Sequence, residues 1–320
     1  MNRITVRPGP RRARGVALLV PLALSGSLLG ALLAALPARA AEKVRVVASV
    51  NDLASIASSV GGDRVEVATI AKATADPHRV EVLPSYMVRV TKAALYLKVG
   101  LSLDQWADQI IFGSRNDRLF VLDCAAGIPV LDKPAGKVDA AMGDVHPEGN
   151  PHYWLDPRNG GRVARAIATA LARVDAAHAA DYAARAERFA AACDSTAAAG
   201  RARGAALPGR AIVTYHSSWV YFADALGLEI AATVEPKPGI PPTAKHLDDV
   251  RRTIAERKVG VLFQEPYFSA EASEYLARET GVRVGRVSPS CAGPEAGSYL
   301  AHFTELLDLL SGSRAGETAR

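Results

Sequence analysis

The sequence predicts an α/β protein of two lobes, each with a mostly parallel sheet flanked by helices, joined by one long helix. Three observations predict it. Short β-rich runs alternate with helical patterns between Val44 and Leu122, and the same alternation returns between Ala211 and Leu310. Between these regions, Asp175–Ala206 is rich in alanine and contains no proline. Strand–helix alternation favours parallel pairing, because parallel neighbours need a crossover that a helix supplies.

Taken in order, Val44–Val50, Val65–Ala71, Ala94–Val99 and Leu119–Leu122 read as strands, with helices at Leu53–Val60 and Pro84–Thr91. In the second region Ala211–Tyr215, Glu229–Val234, Val259–Phe263 and Val282–Val287 read as strands. Helices at Ala244–Glu256, Ala270–Thr280 and Gly297–Leu310 alternate with them. In the central stretch, Tyr182, Ala186, Phe189, Ala190 and Cys193 recur at helical spacing on one face. About 30 residues at ~1.5 Å each make a rod of ~45 Å. A break near Asp194-Ser195 would give two helices instead, but no strong breaker precedes Gly200. The expected organisation is therefore 1–40 a signal peptide, 41–174 an N-terminal α/β lobe, 175–206 the linking helix and 207–320 a C-terminal α/β lobe. A polar tail after Ser311 is expected to fray.

The formal net charge of +5 is concentrated at one end. Residues 1–40 hold Arg3, Arg7, Arg11, Arg12, Arg14 and Arg39 and no acid, so the remainder is nearly neutral. No basic stripe with interleaved aromatics is visible, which excludes nucleic acid as the expected partner. An arginine-rich start, an apolar run from Val16 to Leu36 and the string Ala38-Arg39-Ala40 have the build of a secretory signal cleaved after about Ala40. A transmembrane anchor is the alternative, but Pro21, Gly26 and Gly30 interrupt the run. Cys124, Cys193 and Cys291 show no CxxC spacing; an oxidising compartment permits one disulfide among them.

Chemistry concentrates in the histidines. Asp76-Pro77-His78 and Asn150-Pro151-His152 repeat one pattern, a short polar residue, proline, then histidine. Proline restricts its own φ and the residue before it, which helps hold an imidazole in one orientation. His216 follows the strand Ala211–Tyr215, and in open α/β sheets ligands bind beyond the carboxyl ends of strands. Three neutral imidazoles from separate segments suit Zn²⁺. Read singly, each histidine is equally a hydrogen-bonded turn residue. His146, in Met142–Gly149, is either an aid to metal capture or a solvated loop residue, and Asp144 and Glu148 are expected to be exposed. Asp156 is placed to cap a helix starting near Pro157. Trp154, Trp219, Tyr221 and Phe222 are expected to pack around the site. The proline-rich string Glu235–Pro242 reads as a surface presented to a partner or as a plain connector.

Longer strings add a resemblance. Asp76-Pro-His-Arg-Val-Glu81 with Pro84-Ser85, Gly149-Asn-Pro-His-Tyr-Trp-Leu-Asp-Pro157, Tyr215-His-Ser-Ser-Trp-Val-Tyr-Phe222 with Gly227, and Gln264-Glu-Pro-Tyr-Phe268 stand in this order. Together they resemble the zinc/manganese-type solute-binding proteins of bacterial ABC importers, from about Val44 to Leu310. The resemblance implies two lobes on a rigid helix, one metal site in the cleft, no catalysis, a periplasmic location, and an inner-membrane ABC permease with its ATPase as partner. It carries the histidine ligands onto His78, His152 and His216, in a chain expected to act as a monomer.

One departure matters. Where the family places a late carboxylate ligand, this chain reads Arg286-Val-Ser288-Pro-Ser-Cys291. Glu265 is the leading replacement at the fourth position, ahead of water, with Cys291 or His146 as the remaining choices. Glu265 can alternatively orient a histidine from outside the metal's reach. Three imidazoles favour Zn²⁺ over Mn²⁺, whereas Cu²⁺ competes on intrinsic affinity. Other readings are a zinc hydrolase with Glu265 as general base, and an adhesin or zinc-storage protein on the same fold. There is no HExxH string to support the first and no polyhistidine tract to support storage.

Overall fold

The computed structural model describes residues 42–139 and 142–312. The proposed signal peptide, residues 1–40, lies outside them. In chain order the elements are β1 (Val44–Ala48), α1 (Asn51–Gly61), β2 (Val65–Thr69), α2 (Pro84–Thr91), β3 (Leu95–Lys98), α3 (Trp106–Ser114) and β4 (Phe120–Asp123). Then come α4 (Pro157–Val174), α5 (Ala179–Ala206), β5 (Ala211–Thr214), α6 (Val220–Leu226), β6 (Glu229–Thr233), α7 (Ala244–Arg257), β7 (Val261–Gln264), α8 (Glu271–Thr280), β8 (Arg283–Arg286) and α9 (Ser298–Ser311).

The strands form two four-stranded sheets, ordered β2-β1-β3-β4 and β6-β5-β7-β8. Every pairing is parallel. The two lobes thus repeat one topology, and in each the strand order reverses beside the first strand. That crevice, beyond the carboxyl ends, is where open α/β sheets bind ligands. The central strands β3, β5 and β7 and the carboxyl half of β1 are buried, as a sheet covered by helices on both faces requires.

Local chemistry explains most boundaries. Asp156 caps α4 by accepting from the Arg158 backbone N–H, with Pro157 at the first helical position, as expected. Thr243 caps α7 in the same way through the His246 N–H. Gly227 and Gly281 end α6 and α8 in the left-handed conformation that glycine adopts without strain. Two short helices, α3 and α6, escaped the sequence reading. Each is under three turns long and, unlike the equally short α2 with Pro84 at its first position, has neither proline nor a side-chain cap to mark its start.

The rod is a single helix from Ala179 to Ala206, about 42 Å long at ~1.5 Å per residue. Its first predicted residues form a separate tight turn, Ala176–His178, after the end of α4. The buried face includes Tyr182, Ala186, Phe189, Ala190 and Cys193, and continues through Ala197, Gly200 and Gly204. A Cβ at Gly204 would sit 2.4 Å from the Leu226 carbonyl oxygen, so glycine lets α5 lie against α6 at backbone distance. α4 packs most extensively on α5, and α1, α6 and α9 also pack on it.

The chain crosses back after β8. Ser288 Oγ donates to the Ala73 carbonyl at 2.6 Å. The Asn51 amide donates to the Cys291 and Ala292 carbonyls, and Ser55 Oγ donates to the Glu295 carbonyl. α9 then packs against α1. Cys124, Cys193 and Cys291 are all buried and free, so the permitted disulfide does not form. No helix among the described residues is long and apolar enough to cross a membrane.

Candidate metal centre

His78, His152 and His216, up to 138 positions apart in the chain, meet in the cleft. One ligand atom from each lies within 4.8 Å of the others. Their ring centroids are 5.2 Å apart for His78–His152, 5.4 Å for His78–His216 and 5.9 Å for His152–His216.

Each ring is held through Nδ1. Asp76 Oδ1 accepts from both the His78 backbone N–H, at 2.9 Å, and Nδ1, at 2.8 Å. Asn150 Oδ1 does the same for His152, at 3.1 and 3.0 Å. The repeated motif is therefore a clamp in which the residue before proline grips the histidine after it. Proline shapes the turn; the polar side chain aims the ring. His216 Nδ1 is paired with Glu235 Oε2 at 2.6 Å, with both side chains buried. Glu235 also accepts from the Gly239 N–H at 3.1 Å.

An oxygen acceptor at Nδ1 fixes the proton there and leaves the Nε2 lone pair for another partner. The Nε2 atoms of His78 and His152 are buried and have no hydrogen-bond partner. Lone pairs crowded together in a dry site are costly unless a cation lies among them. Burial and the neighbouring imidazoles hold His152 well below the ordinary histidine range, so it is neutral at pH 7. Burial disfavours the charged form of His216 as well, but the Glu235 bond and the nearby Glu265 charge outweigh it and raise its pKa. Histidine binds metal as the neutral imidazole, the form burial already imposes on His152.

Cross-lobe contacts brace the centre. The Asn150 amide donates to the Ser217 carbonyl at 2.8 Å, and Tyr221 Oη donates to the Asn150 carbonyl at 2.9 Å. Trp154 Nε1 donates to the Pro289 carbonyl at 2.8 Å, and its ring lies 5.3 Å from that of His152. Trp154, Trp219, Tyr221 and Phe222, expected to pack around the site, are almost wholly buried; Trp154 stands against His152, while Trp219 and Phe222 pack with Phe263. Phe268 covers the His216 ring at 5.6 Å. A cavity of about 220 Å³, lined in part by His146, His152 and His216, opens beside the centre.

Several expected residues stand elsewhere. Glu265 is fully buried, and its Oε1 accepts from Trp219 Nε1 at 2.9 Å. It does not join the 4.8 Å set. Burial pushes its carboxyl up, against the pull of His216. Ser288 spends its hydroxyl on the Ala73 carbonyl, and the Cys291 thiol lies against the Gly293 carbonyl at 3.4 Å. The reading of His146 as a solvated loop residue is overturned: its ring stacks on His78 at 5.3 Å and its Nε2 is buried. Asp144, also expected exposed, is only partly so and pairs with Arg79 at 3.4 Å; Glu148 is exposed and accepts from Ser102 Oγ. His178 pairs with Asp175, and His246 Nε2 faces the Thr233 carbonyl; neither belongs to the centre.

Sequence reasoning missed Glu235. It lies in the proline-rich string Glu235–Pro242, which reads as a partner surface or a plain connector, yet it is 5 % exposed and anchors a histidine. The available signal was its position just beyond β6, the strand that pairs with β5 and so delivers Glu235 beside His216.

Two repeated α/β lobes, a long packing helix and a histidine cluster in the cleft define a metal-binding solute-binding protein of the kind that serves ABC importers. The sequence profile of the family described as zinc-uptake complex component A, periplasmic (ZnuA), matches residues 46–312, and the chain belongs to that family. The high-affinity zinc uptake system protein ZnuA of Paracoccus denitrificans is 29 % identical over 304 residues, covering 86 % of this chain and 91 % of that one. The iron-binding protein YfeA of Yersinia pestis is 28 % identical over 256 residues, 78 % of each chain. A crystal structure of ZnuA superposes with a TM-score of 0.73 at 26 % identity, covering 84 % of this chain and all of that one.

Proposed function

We propose that this chain is a periplasmic receptor that binds one Zn²⁺ on His78, His152 and His216 and delivers it to an inner-membrane ABC permease with its ATPase. The observation that carries the reading is the convergence of three separately anchored histidines to within 4.8 Å, with two buried Nε2 atoms that have no protein partner. In this reading residues 1–40 direct export, and the receptor acts as a monomer. Residues 41–174 and 207–320 work as lobes on the 175–206 strut.

The donor set supports zinc. Three imidazoles with no carboxylate among them suit Zn²⁺ better than Mn²⁺, which prefers oxygen. Copper binds such nitrogens at least as strongly, so geometry and supply decide the cargo. The protein's part is to hold the ion: Asp76, Asn150 and Glu235 fix the rings, and the buried aromatics keep the site dry. The position of Glu265 supports a receptor over a hydrolase. A general base must reach the water it deprotonates, and Glu265 stands outside the histidine set with Oε1 held by the Trp219 indole and only Oε2 unpartnered.

A deletion strain grown in chelated medium tests the role. The expected result is a growth defect relieved by added zinc and by the wild-type gene, but not by the His78→Ala/His152→Ala/His216→Ala form. A strain with no zinc-dependent defect would overturn the transport role and favour adhesion or storage.

A further inference from the structure

We propose that His146 is the fourth ligand of the metal, closing from its loop onto the three-histidine centre in place of the carboxylate that Ser288 replaces. The proposal rests on the three-histidine reading and extends it. Four observations carry it. The His146 ring stands 5.3 Å from His78, the same separation as His78 keeps from His152 and His216. Its Nε2 is buried without a hydrogen-bond partner, like those of His78 and His152, while the Leu101 backbone carbonyl approaches the same ring. It lines one cavity together with His152 and His216. Of the other candidates, Ser288 is bonded to Ala73 and the Cys291 thiol lies against Gly293, whereas Glu265 holds Trp219 through Oε1 and keeps a buried, unpartnered Oε2, so it is the rival the test separates from His146.

The loop is built to present this ring. It runs between Gly143 and Gly149, both at positive φ, where glycine turns the chain without strain. Its near end is fixed to both lobes, by the Asp144 N–H donating to the Pro238 carbonyl at 2.9 Å and by the Arg79–Asp144 ion pair. Its far end is tied by the Asn150 N–H to the Leu131 carbonyl at 2.9 Å. His146 lies outside the 4.8 Å set, so binding requires its ring to move into the cavity it already lines. The product is a tetrahedral four-nitrogen site, which zinc and cobalt accept and manganese does not favour.

The test uses the mature protein and its His146→Ala, His146→Gln, Glu265→Gln and His78→Ala variants. Zn²⁺ affinity is measured by competition with a chromogenic chelator, and coordination by the visible absorption of bound Co²⁺. Both His146 variants are expected to weaken Zn²⁺ binding roughly 100-fold, at least as much as losing a group that only orients a ligand. They are also expected to change the Co²⁺ bands, whereas Glu265→Gln leaves the bands in place. Unchanged affinity and bands in both His146 variants, with binding lost in His78→Ala, would overturn the fourth ligand and leave the three-histidine reading intact. Bands that respond to Glu265→Gln and not to His146 would overturn it too. Full affinity in His78→Ala would overturn both.

Discussion

Glu235 offers the sharpest test of how the centre is aimed. Its Oε2 lies 2.6 Å from His216 Nδ1, and the two residues are 5 % and 3 % exposed. A hydrogen bond to a charged group contributes about 1.5–3 kcal/mol, against about 1 kcal/mol for a neutral one. Glu235→Gln keeps an oxygen acceptor and loses the charge, a cost of about 1 kcal/mol, or roughly fivefold in metal affinity. Glu235→Ala removes the acceptor, frees the ring to turn or change tautomer, and is expected to weaken binding 10- to 100-fold, about 1.4–2.8 kcal/mol. Competition against a fluorescent zinc chelator at neutral pH reads both values, and circular dichroism of the metal-free variants checks that the fold survives. The order wild type, Gln, Ala is the signature. Wild-type affinity in Glu235→Ala, or a larger loss in Gln than in Ala, would refute the claim that this carboxylate aims His216.

Three further outcomes are expected. Asn150→Ala releases His152 and the cross-lobe bond to Ser217 together, so zinc affinity falls at least 10-fold; Asn150→Asp keeps the acceptor and lands between Ala and wild type in the same titration. Tyr299→Phe removes the buried 2.6 Å bond to the Trp154 carbonyl and destabilises the fold by about 1–3 kcal/mol, read as a lower urea midpoint. His302 supplies a pH test away from the metal. Burial lowers its pKa from 6.5 to about 4, so between those values the unfolded chain binds a proton that the folded chain refuses. Its contribution to stability is therefore intact above pH ~6.5 and lost as pH falls toward ~4, by about 3 kcal/mol in all. The stability difference between wild type and His302→Gln should shrink accordingly over that range; a difference independent of pH would contradict the assignment.

The fold was legible because its signals are local. Proline at Pro84 and the Asp156-Pro157 cap mark helix starts, and the spacing of Tyr182, Ala186, Phe189 and Cys193 marks the buried face of the rod. The three histidines were legible because their settings are distinctive strings. What stayed hidden depends on register and topology. Glu235 reaches His216 only because β6 pairs with β5. Ser288 looked like a missing ligand, and its actual role, a bond to Ala73 on the other lobe, spans 215 positions. The Asp76 and Asn150 clamps were read as a proline effect, because proline's restriction is visible in sequence and an oxygen turning back to a ring is not.

Metal analysis of the purified mature protein tests the central claim most directly. After loading with Zn²⁺, Mn²⁺ and Cu²⁺ in competition and exhaustive dialysis, the wild type is expected to retain about one zinc per chain in the four-coordinate manner of a structural site. The His78→Ala/His152→Ala/His216→Ala form is expected to retain none. Zinc held at full affinity by the triple variant would contradict the account.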